Sequence, residues 1–231
     1  MADRLDVTRQ RPARKLCREV QMTTRARLVA LVLACVSLAG CGFYSADPIT
    51  ASVVDADTGA PLADVNVVAT WELKGGLEGG NLEGYANVVE AVTDEHGTFH
   101  LPGWGPRPNL SFGRIRNIDA PAIMLFKGGY RYRAVENEGS SMVAAPSQMK
   151  STWNGKVILL TRFKGSPAEY KKSFLQLATD VDGIENKGFL SSVPKFVCAL
   201  NFQDEALAAQ GVPNALYSSE RLRARGLSCK R

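Results

Sequence analysis

Val53-Val54-Asp55-Ala56-Asp57-Thr58-Gly59-Ala60-Pro61-Leu62-Ala63-Asp64-Val65-Asn66-Val67 is the stretch on which the fold turns, together with Thr93-Asp94-Glu95-His96-Gly97-Thr98-Phe99 further along. Each stretch joins short runs of alternating apolar residues across a break rich in Asp, Thr and Gly. Ile49, Ala51 and Val53 fall on one side of an extended chain, and beyond the first break Val65, Val67, Ala69 and Trp71 do the same. A period of two marks a strand with one face on a core. In the breaks an Asp carboxylate can accept backbone N–H groups, and Gly97 can take the left-handed conformation that a tight turn needs. Phe99 and Leu101 then return inward.

Working outward, strands are predicted at Ile49–Val54, Asp64–Trp71, Val88–Thr93, Thr98–Leu101, Asn109–Phe112, Ala122–Phe126, Tyr130–Val135 and Lys156–Phe163. Pro102-Gly103-Trp104-Gly105-Pro106 ends the fourth sharply. Seven or eight short strands at this spacing predict an antiparallel β-sandwich. Residues 74–87 carry five glycines and read as a long mobile loop. A nucleotide-cradling role fails for it, because no Gly-Lys-Ser/Thr and no helix follow; a ligand-gripping loop is the alternative. Residues 136–155 form a second polar loop.

The two turn stretches resemble carboxypeptidase regulatory-like domains, the first as their opening hairpin and the second as Thr-Asp-x-x-Gly-x-Phe. Leu101-Pro102-Gly103-Trp104-Gly105 and Leu125-Phe126-Lys127-Gly128-Gly129-Tyr130 resemble a bacterial lipoprotein subset of that group, with Gly128 where Pro is commoner. The resemblance covers roughly residues 48–163. It implies a transthyretin-like, seven-stranded antiparallel sandwich and no activity, because this fold serves as a binding or accessory module.

Beyond residue 163 the period changes. Ser166-Pro167-Ala168-Glu169 is a capping box with Pro at the first helical position. Tyr170, Phe174, Leu177, Ala178 and Val181 follow at spacings of three and four, predicting one helix over 167–181. Further helices are predicted over Val193–Gln210 and Ser218–Arg225. This helical extension, residues 164–231, is expected to pack on one face or end of the sandwich.

At the other end, residues 28–38 form an uncharged apolar run behind Arg25 and Arg27. Rising about 1.5 Å each, eleven residues span roughly half of a ~30 Å hydrocarbon core, which suits a signal peptide and not a membrane-spanning helix. Leu38-Ala39-Gly40-Cys41 closes the run and resembles the bacterial lipobox. The resemblance implies that residues 1–40 are removed, that Cys41 carries lipid (palmitate among its acyl chains), and that 41–47 is a tether. Gly42 follows the cysteine, and by the sorting rule of enteric lipoproteins this implies the periplasmic face of the outer membrane. Met22 begins a compact basic region of its own and is the expected start of translation.

Five cysteines then resolve. Cys17 and Cys35 leave with the precursor and Cys41 carries lipid, so Cys198 and Cys229 remain as a disulfide pair in an oxidising compartment. A zinc or redox pair is the alternative, but the spacing is not C-x-x-C and no His lies nearby.

The net charge of +5 belongs to the same segment. Residues 1–40 hold 8 Lys+Arg and 3 Asp+Glu, while the rest holds 20 of each and is neutral. The basic balance therefore argues for export and against nucleic acid as a partner.

Chemistry is sparse. The two histidines, His96 and His100, read as a solvated turn residue and a polar-face strand residue, too few to suggest a metal. No Gly-x-Ser-x-Gly and no zinc-carboxypeptidase His-x-x-Glu occur in the body. Trp104, Arg131, Arg133 and Trp153 form a candidate ligand patch for glycan carboxylates, with Arg131 and Arg133 on one strand face and both indoles in exposed loops. The bland reading of the same residues is an edge strand kept soluble by charge. The expectation is a non-catalytic envelope lipoprotein, without cofactor or metal, that binds or scaffolds an envelope protein or glycan. The alternatives are an envelope hydrolase and a lipoprotein component of a secretion assembly.

Overall fold

A computed structural model describes residues 43–230 except 76–79, 109–114, 120, 138–147 and 213–216. The chain is mostly β, with helices at its C-terminal end. Its strands are β1 (Phe43–Ala46), β2 (Ile49–Asp55), β3 (Asn66–Gly75), β4 (Asn81–Val92), β5 (Thr98–Leu101), β6 (Trp104–Pro108), β7 (Ile115–Ile118), β8 (Ala122–Phe126), β9 (Arg133–Val135), β10 (Gln148–Met149) and β11 (Val157–Leu160). The helices are α1 (Pro167–Lys172), α2 (Leu175–Asn186), α3 (Pro194–Ala209) and α4 (Ser219–Ala224), with a 3-10 turn at Leu190–Ser192.

One layer is a ladder in two parts. β1 pairs β6 antiparallel, with Phe43 opposite Pro108 and Ala46 opposite Trp104; β2 then pairs β5, with Ile49 opposite Leu101 and Ser52 opposite Thr98. β10 and β11 lie on the other side of β1 and β2. The second layer runs β4–β3–β8–β9, and β7 also pairs β3. Between them Ile49, Val53, Val67, Trp71, Phe99, Leu101, Leu125 and Ile158 make the sandwich core. The inward set predicted for β3 is correct: Val65, Val67, Ala69 and Trp71 are all fully buried.

The turn stretches weld one end together. Thr93 Oγ1 donates to the carbonyl of Leu62 at 2.6 Å and accepts the Val65 N–H at 2.8 Å. Asp94 Oδ1 accepts the N–H groups of His96 and Thr98. Gly97 sits at φ +71°, and a Cβ there would come within 2.5 Å of the Val53 carbonyl oxygen. Glycine is therefore required twice over, for conformation and for close approach.

Several expectations are corrected. The sheets are mixed: β10–β1 and β11–β2 are parallel. Both late strands arrive by long crossovers, which permit parallel pairing as a short hairpin does not. The segment expected to tether the body contains β1, because Tyr44 packs on the core and Ala46 is buried. The chain does not stop at Pro102–Pro106 but resumes as β6; Pro106 and Pro108 are tolerated there because β6 pairs only β1 and lies at an edge. Residues 74–75 and 81–87 extend the β3–β4 hairpin, with register shifts after Trp71 and Leu73. The strand expected at Tyr130–Val135 shortens to β9, and Tyr130 makes an isolated bridge to Arg162. The strand expected at 109–112 lies outside the described residues.

The outer face of the second sheet is apolar as well. Val68, Tyr85, Val88, Met124 and Phe126 meet Phe174, Leu177, Val181, Ile184, Phe196, Val197 and Leu200 in a second core. The capping box forms as predicted: the Ser166 N–H donates to Glu169 Oε2 at 2.7 Å, and the Glu169 N–H donates to Ser166 Oγ. The single helix expected over 167–181 is two. Ser173 Oγ donates to the Tyr170 carbonyl, a side-chain competitor for the helix backbone, and the break lets Phe174 bury against Phe126. α3 has no capping side chain at Val193. Glu90 of β4 supplies the missing acceptor, receiving the N–H groups of Lys195 and Phe196 at 3.0 and 3.1 Å, where a helix start favours an anion. Cys198 of α3 and Cys229 are joined, with Cα atoms 5.3 Å apart and a sequence separation of 31. Such a loop gives about 3–4 kcal/mol in the chain-entropy account. The bond pins the final segment, with Leu227, against the helices.

Candidate functional site

Asp55, Tyr130 and Arg162 form a polar cluster at the end of β2. Asp55 ends β2 and is 3% exposed. Its Oδ1 accepts the N–H groups of Asp57 and Thr58, an Asx turn that the sequence foretold. Its Oδ2 accepts the Tyr130 hydroxyl at 2.8 Å and lies 3.4 Å from the Arg162 guanidinium. Arg162 also donates to the Tyr130 oxygen at 2.8 Å, and its guanidinium stands 5.0 Å from the centre of that ring. The Tyr130 hydrogen bond above all, opposed by burial and helped by the turn N–H groups and Arg162, holds the Asp55 carboxyl down at about 2 from an ordinary 3.8. Burial and the Asp55 acceptor push the Tyr130 hydroxyl up.

Each carboxylate oxygen of Asp55 is thus engaged inside the protein, and the cluster ties β2 to the Tyr130–Arg162 bridge. Its chemistry is structural, and it has a pH signature. A carboxyl with a lowered folded pKa stabilises the fold fully above its unfolded value. That contribution is expected to fade as pH falls from about 4 to about 2. Urea unfolding of the wild type and of Asp55→Asn across that window should show the difference between them shrinking towards acid. A difference that stays constant would mean the Asp55 charge contributes nothing.

The predicted patch is distributed among separate local contacts. Trp104 is half-buried, meeting Trp71 edge-to-face with centroids 5.5 Å apart, while the Arg107 guanidinium lies 5.2 Å from its ring. Among the described residues the buried Nε1 atoms of Trp71 and Trp104 have no hydrogen-bond partner; an edge-to-face pair at least places an indole edge against a π face. Trp153 is half-buried too, and its Nε1 donates to the Glu136 carbonyl at 2.8 Å. Arg131 is exposed over the Phe163 ring at 5.0 Å. Arg133 donates to the Leu159 carbonyl at 2.6 Å. Arg131 and Arg133 do not share a strand face, because β9 begins at Arg133. The two indoles are core lids more than open platforms, since both pack against the sandwich core. Cys41 lies outside the described residues.

His96 is exposed in its turn, with Nε2 3.5 Å from Glu95. His100 Nδ1 lies 3.0 Å from Thr50 Oγ1 on the neighbouring strand. Among the described residues no group of three or more His, Cys, Asp or Glu converges as a metal site would require. A cleft of about 530 Å³ is lined by Val92, Pro194, Phe202 and the Cys198 end of the disulfide, with Asp64, Lys195 and Lys230 as its charged groups. A smaller one of about 230 Å³ lies among Gly129, Phe163, Tyr170 and Gln203. In the smaller one the Ser166 hydroxyl donates to Glu169 Oε2 at 2.8 Å, as part of the capping box of α1.

A buried ion pair escaped the sequence reading altogether. Lys171 of α1 contacts Asp204 of α3, with side chains 16% and 2% exposed. Asp204 Oδ2 also accepts the Tyr217 N–H at 2.8 Å. The partners lie 33 positions apart in sequence, and only the helix packing brings them together.

No protein-family model matches the chain, and no curated protein does. Among solved structures it is similar to a 3-chlorocatechol 1,2-dioxygenase from Rhodococcus opacus 1CP, at 18% identity and TM-score 0.29, over 52% of this chain and 61% of that one. It is similar to a hydroxyquinol 1,2-dioxygenase from Pseudomonas putida DLL-E4, at 11% identity and TM-score 0.29, over 52% and 57%. It is also similar to the full-length major pilin SpaD from Corynebacterium diphtheriae, at 18% identity and TM-score 0.28, over 51% and 30%. The chain spans about three fifths of the length of each dioxygenase it matches. Likenesses of this size carry no argument about function.

Proposed function

We propose that the protein is a lipoprotein of the bacterial cell envelope, held by acyl chains on Cys41 at the periplasmic face of the outer membrane. Its sandwich, of the carboxypeptidase regulatory-like kind, then serves a non-catalytic binding or scaffolding role towards an envelope protein or glycan. The observation that carries the proposal is Leu38-Ala39-Gly40-Cys41 at the end of an eleven-residue apolar run. The Cys198–Cys229 bond supports it, since disulfides persist in oxidising compartments. The confinement of the net positive charge to residues 1–40 supports it as well. The non-catalytic part rests on the histidines: one stands in an exposed turn, and the other is engaged with Thr50.

Expression in a bacterial host with labelled palmitate tests both parts. Cys41→Ser is expected to lose the label and accumulate as precursor, whereas His96→Ala with His100→Ala should keep both label and envelope function. Normal acylation of Cys41→Ser would refute the anchor. Loss of function in the doubly substituted, correctly anchored protein would refute the non-catalytic role.

A further inference from the structure

We infer that the Phe43–Pro108 corner of the sandwich seats in the lipid headgroup layer beside the acylated Cys41. This rests on the lipoprotein reading and adds an orientation and a contact surface to it.

β1 begins at Phe43, two positions after Cys41. Two residues reach about 7 Å at full extension. The headgroup layer on each side of a bilayer is about as thick as that. A chain acylated at Cys41 therefore has no slack with which to hold its first strand away from the lipid.

The side chains at that corner suit the place. Along β1, Tyr44 packs on the core and Ala46 is buried, so Phe43 faces the other way and is 53% exposed. Its cross-strand partner Pro108 is exposed, and so is the next residue inward on β6, Arg107. An exposed aromatic ring and a proline on one face make an apolar point, which fits the boundary of the acyl chains, while the Arg107 guanidinium behind them is held by the Ala86 carbonyl and the Trp104 ring. A single lipid chain holds a protein only marginally, and a second membrane contact strengthens it.

The other end of the molecule has the opposite character. From Phe43 opposite Pro108 the register runs through Ile49 opposite Leu101 to Ser52 opposite Thr98, a distance of about 30 Å along the ladder. Beyond it lies the turn at Asp94–Gly97, where Asp94 and Glu95 are both exposed. An anionic lipid surface would repel this turn.

The test uses the full, acylated chain in vesicles of phosphatidylethanolamine and phosphatidylglycerol with brominated acyl chains. Under the lipoprotein reading, a cysteine introduced at one position is the only free thiol, so Phe43→Cys, Pro108→Cys and His96→Cys can each carry an environment-sensitive fluorophore. Labels at 43 and 108 are expected to shift to the blue and lose about half of their emission, as befits a group about 5–10 Å into the boundary. The label at 96 is expected to behave as in water. The intact mass of each sample reports acylation separately. Acylated protein with labels at 43 and 108 as unquenched as that at 96 would overturn the seating and leave the lipoprotein reading standing. A mass without acyl groups would overturn both.

Discussion

Phe126→Ala is expected to lower the unfolding free energy by about 3–5 kcal/mol, measured by urea denaturation. Phe126 ends β8 with 1% of its surface exposed. Its ring meets Phe174 at 5.8 Å and Phe196 at 6.1 Å, both in tilted, edge-on arrangements. Phe174 stands at the break between α1 and α2, and Phe196 lies in the first turn of α3. One side chain therefore links the sheet to two separate helical elements. Truncating it removes apolar contact and leaves a void that neither partner can fill without moving its own helix. Val157→Ala is the comparison, because Val157 is 57% exposed and its loss should stay within about 0.5 kcal/mol. A cost below about 1 kcal/mol for Phe126→Ala would mean that the helical layer is held on by something else.

Lys171→Met is expected to cost about 3 kcal/mol, because it strands the Asp204 carboxylate without a countercharge at 2% exposure. For a chain of this size that corresponds to a melting temperature lower by about 6–12 °C. The methionine keeps an unbranched apolar stem of similar length, so lost volume does not explain the loss. Combining Lys171→Met with Asp204→Asn should recover most of the stability. The asparagine oxygen can still accept the Tyr217 N–H, and no buried charge remains. A double variant no more stable than Lys171→Met alone would show that the buried charge is not the cause.

Both predictions concern the helical layer, whose helices were legible in the sequence while the contacts that hold it to the sheet were not. What could be read was local. The alternation of Val65, Val67, Ala69 and Trp71 identified β3, and Asp94 with Gly97 identified a turn, because strand period and turn chemistry act over a few residues. The capping box was visible for the same reason. The disulfide was legible by elimination, once three of five cysteines were assigned elsewhere. β6 was hidden because Gly105, Pro106 and Pro108 look like a terminator, and only its place at a sheet edge makes them acceptable. The break at Ser173 was hidden because the apolar spacing of Tyr170, Phe174 and Leu177 runs straight through it. Contacts across long separations left no local trace: Glu90 at the start of α3, Asp55 with Tyr130, Lys171 with Asp204. Trp104, Arg131, Arg133 and Trp153 have the right chemistry, but each is already engaged by a different neighbour.

Acylation of Cys41 is the step on which the proposed function depends. Intact-mass and N-terminal fragment analysis of the protein purified from bacterial membranes tests it most directly. The prediction is a mature chain beginning at Cys41, carrying diacylglyceryl and acyl groups and one internal disulfide. A chain that keeps residues 1–40, or one cut elsewhere with an unmodified Cys41 thiol, would contradict it.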